Sequence, residues 1–353
     1  MAHLPLHGGK APKWLVERMK KLAYAISCVI IDEYGTGEFL DRLSSPFWFQ
    51  SLGCVLGYDW HSSGVTTVVT GVLKTILDPK THGIAIAGGK GRTSRRAPEE
   101  LEKIGEIFNL STSKVQNLIR ASRLTAKVDN AAVQDGYTLY HHSFIVDERG
   151  NWVVIQQGMN LSDQTARRYH WSSKKLRSFV KEPHEAILGD KFRSRVLNLT
   201  AHESEECRRV SLDLVKENPL KLKRLFKAMT PRYQAKLSKW IKERPDEREY
   251  YCEILSMPRS INWSAVKRLY ELQPKNYEEL LEARGVGRST IRALALISEI
   301  IYGAPPSWKD PIKFTFAFGG KDGVPFPVDK DTMDEVYKIL QSALERARLG
   351  SKD

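Results

Sequence analysis

Cysteine is scarce in this chain: Cys28, Cys54, Cys207 and Cys252 are the only four in 353 residues. They are far apart and form no CxxC pair, which argues against a thiolate zinc site; they read as reduced core thiols. Long apolar runs are also missing. None approaches the roughly 20 residues that a bilayer-spanning helix needs. The opening stretch MAHLPLHGGKAPKWL has no apolar segment of the kind a secretory signal carries. Together these absences point to a cytoplasmic protein with no membrane partner. Negative charge is in short supply as well: 42 acidic residues face 55 Lys and Arg, giving a net charge of +13 and a pI near 9.4. A field of that sign favours polyanions, with nucleic acid first among them.

The chain is long enough for two or three domains. Trp14 to Ile31 reads as an amphipathic helix, GCVLGY at Gly53–Tyr58 as a short strand, and VTTVVTGVLKTIL as a buried helix. GIAIAGG opens as a strand and runs into a glycine-rich basic loop. Pro98 with Glu99 and Glu100 marks a helix start, and helices are expected over Glu100–Phe108 and Ser113–Ala126. Residues 137–161 change period. They read as two strands, Leu139–Val146 and Trp152–Gln156, around a DERGN turn. From 164 onward the pattern reads as almost wholly helical, including the tracts KKLRSFVKEPHEAILGDKF, ECRRVSLDLVKENPLKLKRLFKAMT and YQAKLSKWIKE. A last helix is expected at Thr332–Arg348. The expected architecture is an α/β N-terminal domain, residues 1–200, and an all-α C-terminal domain, 201–353, containing a helix-hairpin-helix at 277–303.

That motif is the sharpest in the chain. In YEELLEARGVGRSTIRALALISEIIYG, Gly285-Val286-Gly287 makes a tight turn between two helices, the second with Ile291, Leu294, Ile297 and Ile301 at core-facing spacing. The glycines let the backbone turn where a side chain would clash. They also leave amides free at a helix N-terminus, where the dipole favours an anion. Arg284 and Arg288 flank the turn, and Ser289 and Thr290 follow it. The segment resembles the helix-hairpin-helix family, with Ile291 where that family usually has alanine. The resemblance implies that Arg284, Gly285, Val286, Gly287, Arg288, Ser289 and Thr290 hold a DNA phosphate. Such contacts position DNA without reading its sequence.

A second concentration of chemistry lies in HHSFIVDERGNWVVIQQGMN. It resembles the active-site half of the phospholipase-D-like superfamily, which includes nucleases. The resemblance implies that His141 attacks phosphorus or acts as general base, while His142, Asp147, Gln157 and Asn160 orient phosphate or imidazole. Ser143 stands in place of that family's lysine and Gly158 in place of its serine. Only one copy of the motif is present, which implies a homodimer that shares histidines across its two-fold. Such chemistry needs no metal; a divalent ion, Mg²⁺ or Mn²⁺, is the expectation if the same residues work otherwise. Further candidates are His7 beside Gly8-Gly9-Lys10, His61 and Ser62 within DWHSSG, Lys90 and Arg92 within GGKGR, and GGKDG at 319–323. The GGKGR segment lacks P-loop spacing, which argues against nucleotide hydrolysis.

Several strings taken together, HGGKAPKWL, GIAIAGGKGRTSRRAPEEL, YHHSFIVDERGNWVVIQQGMN, RGVGRSTIRALALISEIIYGAPPSWKDP and FAFGGKDGVPFPVD, are similar to the prokaryotic domain-of-unknown-function family 763. That resemblance implies a cytoplasmic archaeal or bacterial protein with the hairpin as a standing part. The expected function is a DNA-binding nuclease of repair or processing, without sequence specificity. The alternatives are a non-catalytic DNA-binding protein that recruits a partner, and an RNA-processing enzyme.

Overall fold

A computed structural model describes residues 12–58, 63–189, 192–229, 256–315 and 330–350. Its centre is a six-stranded sheet in the order β1-β3-β4-β5-β6-β8: β1 (Ile84–Lys90), β3 (Thr138–Asp147), β4 (Trp152–Asn160), β5 (Thr165–Ser172), β6 (Ala186–Gly189) and β8 (Phe314–Thr315). Every pair is antiparallel except β6 with β8. A two-stranded ladder joins β2 (Val133–Gln134) to β7 (Leu197–Asn198).

Both faces of the sheet are covered, so the middles of β1, β3 and β4 and all of β5 and β6 are buried, and exposure is confined to ends such as Thr138 and Lys90. On one face lie α1 (Lys13–Ser44), α2 (Pro46–Val55) and α3 (Gly64–Ile76), followed by the single turn α4 (Pro79–His82). Their apolar residues close on Ile84, Ile86, Ile145, Val153 and Ile155. On the other face lie α5 (Ala97–Ile107) and α6 (Thr112–Lys127). With them pack α7 (Glu205–Lys216), α8 (Pro219–Ala228), α9 (Trp263–Leu272), α10 (Tyr277–Glu282) and α11 (Arg288–Tyr302). The last helix, α12 (Lys330–Gly350), returns to α1, where Arg18 donates to both Asp334 carboxylate oxygens at 3.0 and 2.9 Å.

Local sequence explains most starts. Pro46 opens α2 behind Ser45, whose hydroxyl accepts from the Trp48 amide; Pro98 sits in the first turn of α5 with Glu99 and Glu100. Ser111, Asn262 and Asn276 cap α6, α9 and α10 in the same way.

Two expectations change. GCVLGY is the end of α2 and its turn, not a strand: the Ser45-Pro46 start commits the run to a helix, and period alone does not separate a short apolar helix from a strand. The stretch after 164 is not wholly helical, since β5, β6 and β7 lie there, and KKLRSFVKEPHEAILGDKF is loop ending in β6. The expected mixture of helix and sheet is present, with a sheet that is antiparallel apart from the β6–β8 pair. The expected boundary at 200 falls beside a 3-10 turn, His202–Ser204, and buried side chains from both sides of it share one core that runs from Ala85 to Ile312. The tract YQAKLSKWIKE lies outside the described residues.

Candidate nucleic-acid interface and the polar rows of the sheet

The hairpin is built as its glycines require. Gly285 has φ +89°, in the left-handed region, and a Cβ there would stand 2.7 Å from Asn262 Nδ2 and 2.8 Å from Arg268 Nη2. Val286 is buried and anchors the turn, its amide donating to Ala283 O at 3.1 Å. Gly287 is extended backbone with open space where a side chain would project. The hairpin carbonyls are taken: Arg268 donates to Arg284 O at 2.7 Å, Asn262 to Gly285 O at 3.3 Å, Lys127 to Val286 O, and Gln134 to Arg288 O at 3.0 Å. The amides are not. Those of Gly287, Arg288, Ser289 and Thr290 donate to no acceptor among the described residues. Arg284 and Ser289 are exposed, whereas Thr290 is buried and Arg288 donates from Nη1 to Tyr137 O at 3.1 Å. Lys127, Arg268, Arg284 and Arg288 form no ion pair with a carboxylate among the described residues. The turn is therefore a cluster of cations and free N–H groups at the start of a 15-residue helix. In α11, Ile291, Leu294 and Ile297 are fully buried as expected, but Ile301 is 45% exposed.

The second cationic feature sits beside the same end of β3. The GGKGR segment is the end of β1 followed by a 3-10 turn, Gly91–Arg96, with Lys90, Arg92, Arg95 and Arg96 exposed. Gly88 has φ +85°, and a Cβ would come within 2.2 Å of His142 O. Its amide donates to Glu100 Oε2 at 2.8 Å and its carbonyl accepts from Lys74 Nζ at 2.8 Å, so this glycine serves strand packing and offers no free amide.

Register places Lys90 opposite His141, His141 opposite Gln157 and Gln157 opposite Arg168, one polar row on the face covered by α1, α2 and α3. His141 is buried, with Nε2 3.0 Å from Thr70 Oγ1. The Thr70 hydroxyl donates to Thr66 O at 2.7 Å, so it accepts from His141, which carries its proton on Nε2 and presents Nδ1 as a buried lone pair without a partner. Burial, then the neighbouring His142 and Lys90, lower the His141 pKa to about 3. Gln157 donates to Ser63 O at 2.9 Å and to the Tyr140 hydroxyl at 2.5 Å.

His142 faces the other side, as strand alternation requires. Nδ1 meets Gln156 Oε1 at 2.8 Å and Nε2 meets Ser122 Oγ at 2.9 Å, and burial lowers its pKa to about 4. Gln156 in turn donates to Asp129 at 2.6 Å, where Trp171 and His184 also converge. Asp129 lies in a π-helical turn, Val128–Ala132, and burial raises its pKa. Beside this network Arg167 is held by Asp135 at 3.1 Å and by both oxygens of Asp310 at 2.9 and 2.8 Å.

The residues proposed for hydrolysis do not converge. Asp147 stands six positions from His141 on one strand, roughly 20 Å away at about 3.3 Å per residue. Its carboxylate holds the β3–β4 turn by accepting from the amides of Arg149 and Asn151 and from the Asn151 side chain. Asn160 accepts from the amides of Ser162 and Asp163 and shapes the β4–β5 turn. Only His141 and Gln157 are neighbours on one face. Among the described residues no group of three or more His, Cys, Asp or Glu side chains comes together that could hold a metal ion. His7, His61, Ser62 and the GGKDG segment lie outside the described residues. Sequence reasoning missed Arg167, Arg168, Asp129 and His184; the alternation in TARRYHWS was the available signal for the first two.

Among the described residues no helix is long and apolar enough to cross a membrane. No curated protein and no solved structure matches the chain. A family model described as "Protein of unknown function (DUF763)" matches residues 1–328, and the chain belongs to that family.

Proposed function

We propose that this protein binds the phosphate backbone of DNA, without reading sequence, through a helix-hairpin-helix turn at residues 283–290. One observation carries the reading: four amides at the head of α11 without an acceptor, set among four cations without a carboxylate partner, among the described residues. Amides and dipole suit an anion, and the unpaired cations make the local field positive. The exposed Lys90, Arg92, Arg95 and Arg96 extend that field, because their turn packs beside the start of β3, near Tyr137 to which Arg288 is tied. Fluorescence anisotropy with unrelated duplexes tests the reading. Similar affinities that fall steeply with salt are expected; a single preferred sequence, or affinity indifferent to salt, defeats it.

A second reading, phosphodiester hydrolysis, is favoured by one feature: His141, Gln157 and Arg168 share a row. Against it, a histidine with a pKa of about 3 is a poor base at neutral pH, and the acid expected to orient it is at the far end of the strand. Incubating labelled single-stranded, duplex and branched DNA with the protein, with Mg²⁺, Mn²⁺ or EDTA, separates the two. Binding without cleavage in every condition is the outcome expected of a DNA-binding scaffold.

A further inference from the structure

Two adjacent arginines on β5 have opposite fates. Arg167, on one face, is bracketed by Asp135 and Asp310. Arg168, on the other, is 3% exposed and donates from Nη2 to Gln50 Oε1 at 2.8 Å. Its guanidinium lies over the Phe49 ring, 4.9 Å from the centroid, and Nε is buried with no acceptor. Among the described residues no carboxylate pairs with it. Burial lowers its pKa only to about 9, so it remains a cation at pH 7. A buried charge is costly unless it is paired.

The same corner holds a second set of unmet donors. The register neighbour of Arg168, Gln157, donates to Ser63 O, the cap of α3. In the first turn of that 13-residue helix the amides of Val65 and Thr66 are buried and donate to no acceptor among the described residues. Helix α2 joins the two groups: Gln50 meets Arg168, and Gly53, one turn later on the same side, lies against Val65, whose Cγ1 would be 2.5 Å from a Cβ there. A guanidinium without a carboxylate partner among the described residues and two free amides at the positive end of a helix dipole thus adjoin the same stretch of α2, a set of donors that suits an anion.

We propose that this corner, between α2, the first turn of α3 and β5, binds a phosphate group, with Arg168 as counter-ion and the Val65 and Thr66 amides as donors. The phosphate is either the free ion or a monoester carried on a nucleotide. The assignment needs neither DNA binding nor hydrolysis.

Melting and calorimetric titration of the full chain at pH 7 test it, with sodium phosphate and thymidine 5′-monophosphate as probes and sodium chloride at matched ionic strength as reference. A saturable rise in melting temperature is expected with a phosphate probe and none with chloride. The tighter of the two probes identifies the source. Arg168→Gln should weaken the phosphate response at least tenfold, yet melt in chloride at or above the wild-type temperature, because it removes an unpaired buried charge. A residue with a merely structural role would instead lower melting equally in both salts. Gly287→Val, at the hairpin, should keep the full phosphate response. No saturable effect on the wild-type chain overturns the proposal, even if Arg168→Gln fails to fold; so does an undiminished response in that variant.

Discussion

Arg288 donates from Nη1 to the carbonyl oxygen of Tyr137 at 3.1 Å, which ties the head of α11 to the foot of β3. The hairpin is thereby fixed on the sheet, and its free amides are presented at one set orientation. A rigid donor cluster loses little freedom when a phosphate docks.

The two hairpin glycines differ as test sites. At Gly285 any side chain meets Asn262 and Arg268 and a left-handed backbone, so Gly285→Val should cost stability, on the order of 1–3 kcal/mol for the backbone alone. At Gly287 the backbone is extended and the space open, so Gly287→Val should melt near the wild type and yet screen the amides of α11. Duplex affinity is expected to fall at least tenfold in that variant. Unchanged affinity by anisotropy would remove the hairpin from the interface.

Arg284 is exposed beside the turn and forms no ion pair among the described residues. Arg284→Ala should weaken binding to all duplexes alike and reduce the slope of log affinity against log salt by about 1, as the loss of one phosphate contact requires. A sequence-dependent loss would mean that the arginine reads bases.

Acid should destabilise the chain between pH ~6.5 and ~4. Burial holds His141 at about 3 and His142 at about 4, while a histidine in the unfolded chain titrates near 6.5. The folded forms are therefore neutral where the unfolded ones are protonated. Stability is full above the unfolded value and is lost as pH falls toward the folded ones, at up to about 1.4 kcal/mol per pH unit for each histidine. Urea unfolding at pH 7, 6 and 5 should show this slope, and His142→Gln should reduce it by about one proton. An unaltered slope in that variant would show that His142 is not the group responsible.

Asp310→Asn removes one of the two carboxylates that hold the buried Arg167 among the described residues and leaves Asp135. A loss of roughly 3–5 kcal/mol is expected from breaking one arm of such a buried network. Urea unfolding measures it directly, and a loss under 1 kcal/mol would mean that water or rearrangement replaces the missing charge.

The strands at 138–147 and 152–160 were legible because their turn, DERGN, is a strong local signal and their alternation is clean. The start of α5 was legible from Pro98 and two acids, and the hairpin from its glycines. Strand β5 was not, because it is buried on both faces and puts Arg167, Arg168 and His170 inside; charged residues in a run read as surface unless their partners are known. Those partners, Asp135, Asp310 and Gln50, are 32, 143 and 118 positions away. The same distance hid the phosphate corner, whose pieces lie on α2, α3 and β5. The paired histidines stood out in sequence and strand alternation already set them on opposite faces, but only the fold shows that both faces are closed.

The sheet is finished by a segment translated long after the rest of it. Gly189 pairs with Thr315 and Asn198 bridges to Ser307, so β6 has no outer neighbour until more than a hundred further residues have left the ribosome. During that interval β6 is an open template for strand pairing with another chain. Ribosome-bound chains halted before residue 300 should consequently be more prone to aggregate, or to recruit a chaperone, than chains halted beyond 330, and the final edge pairing should be a late, slow event in refolding.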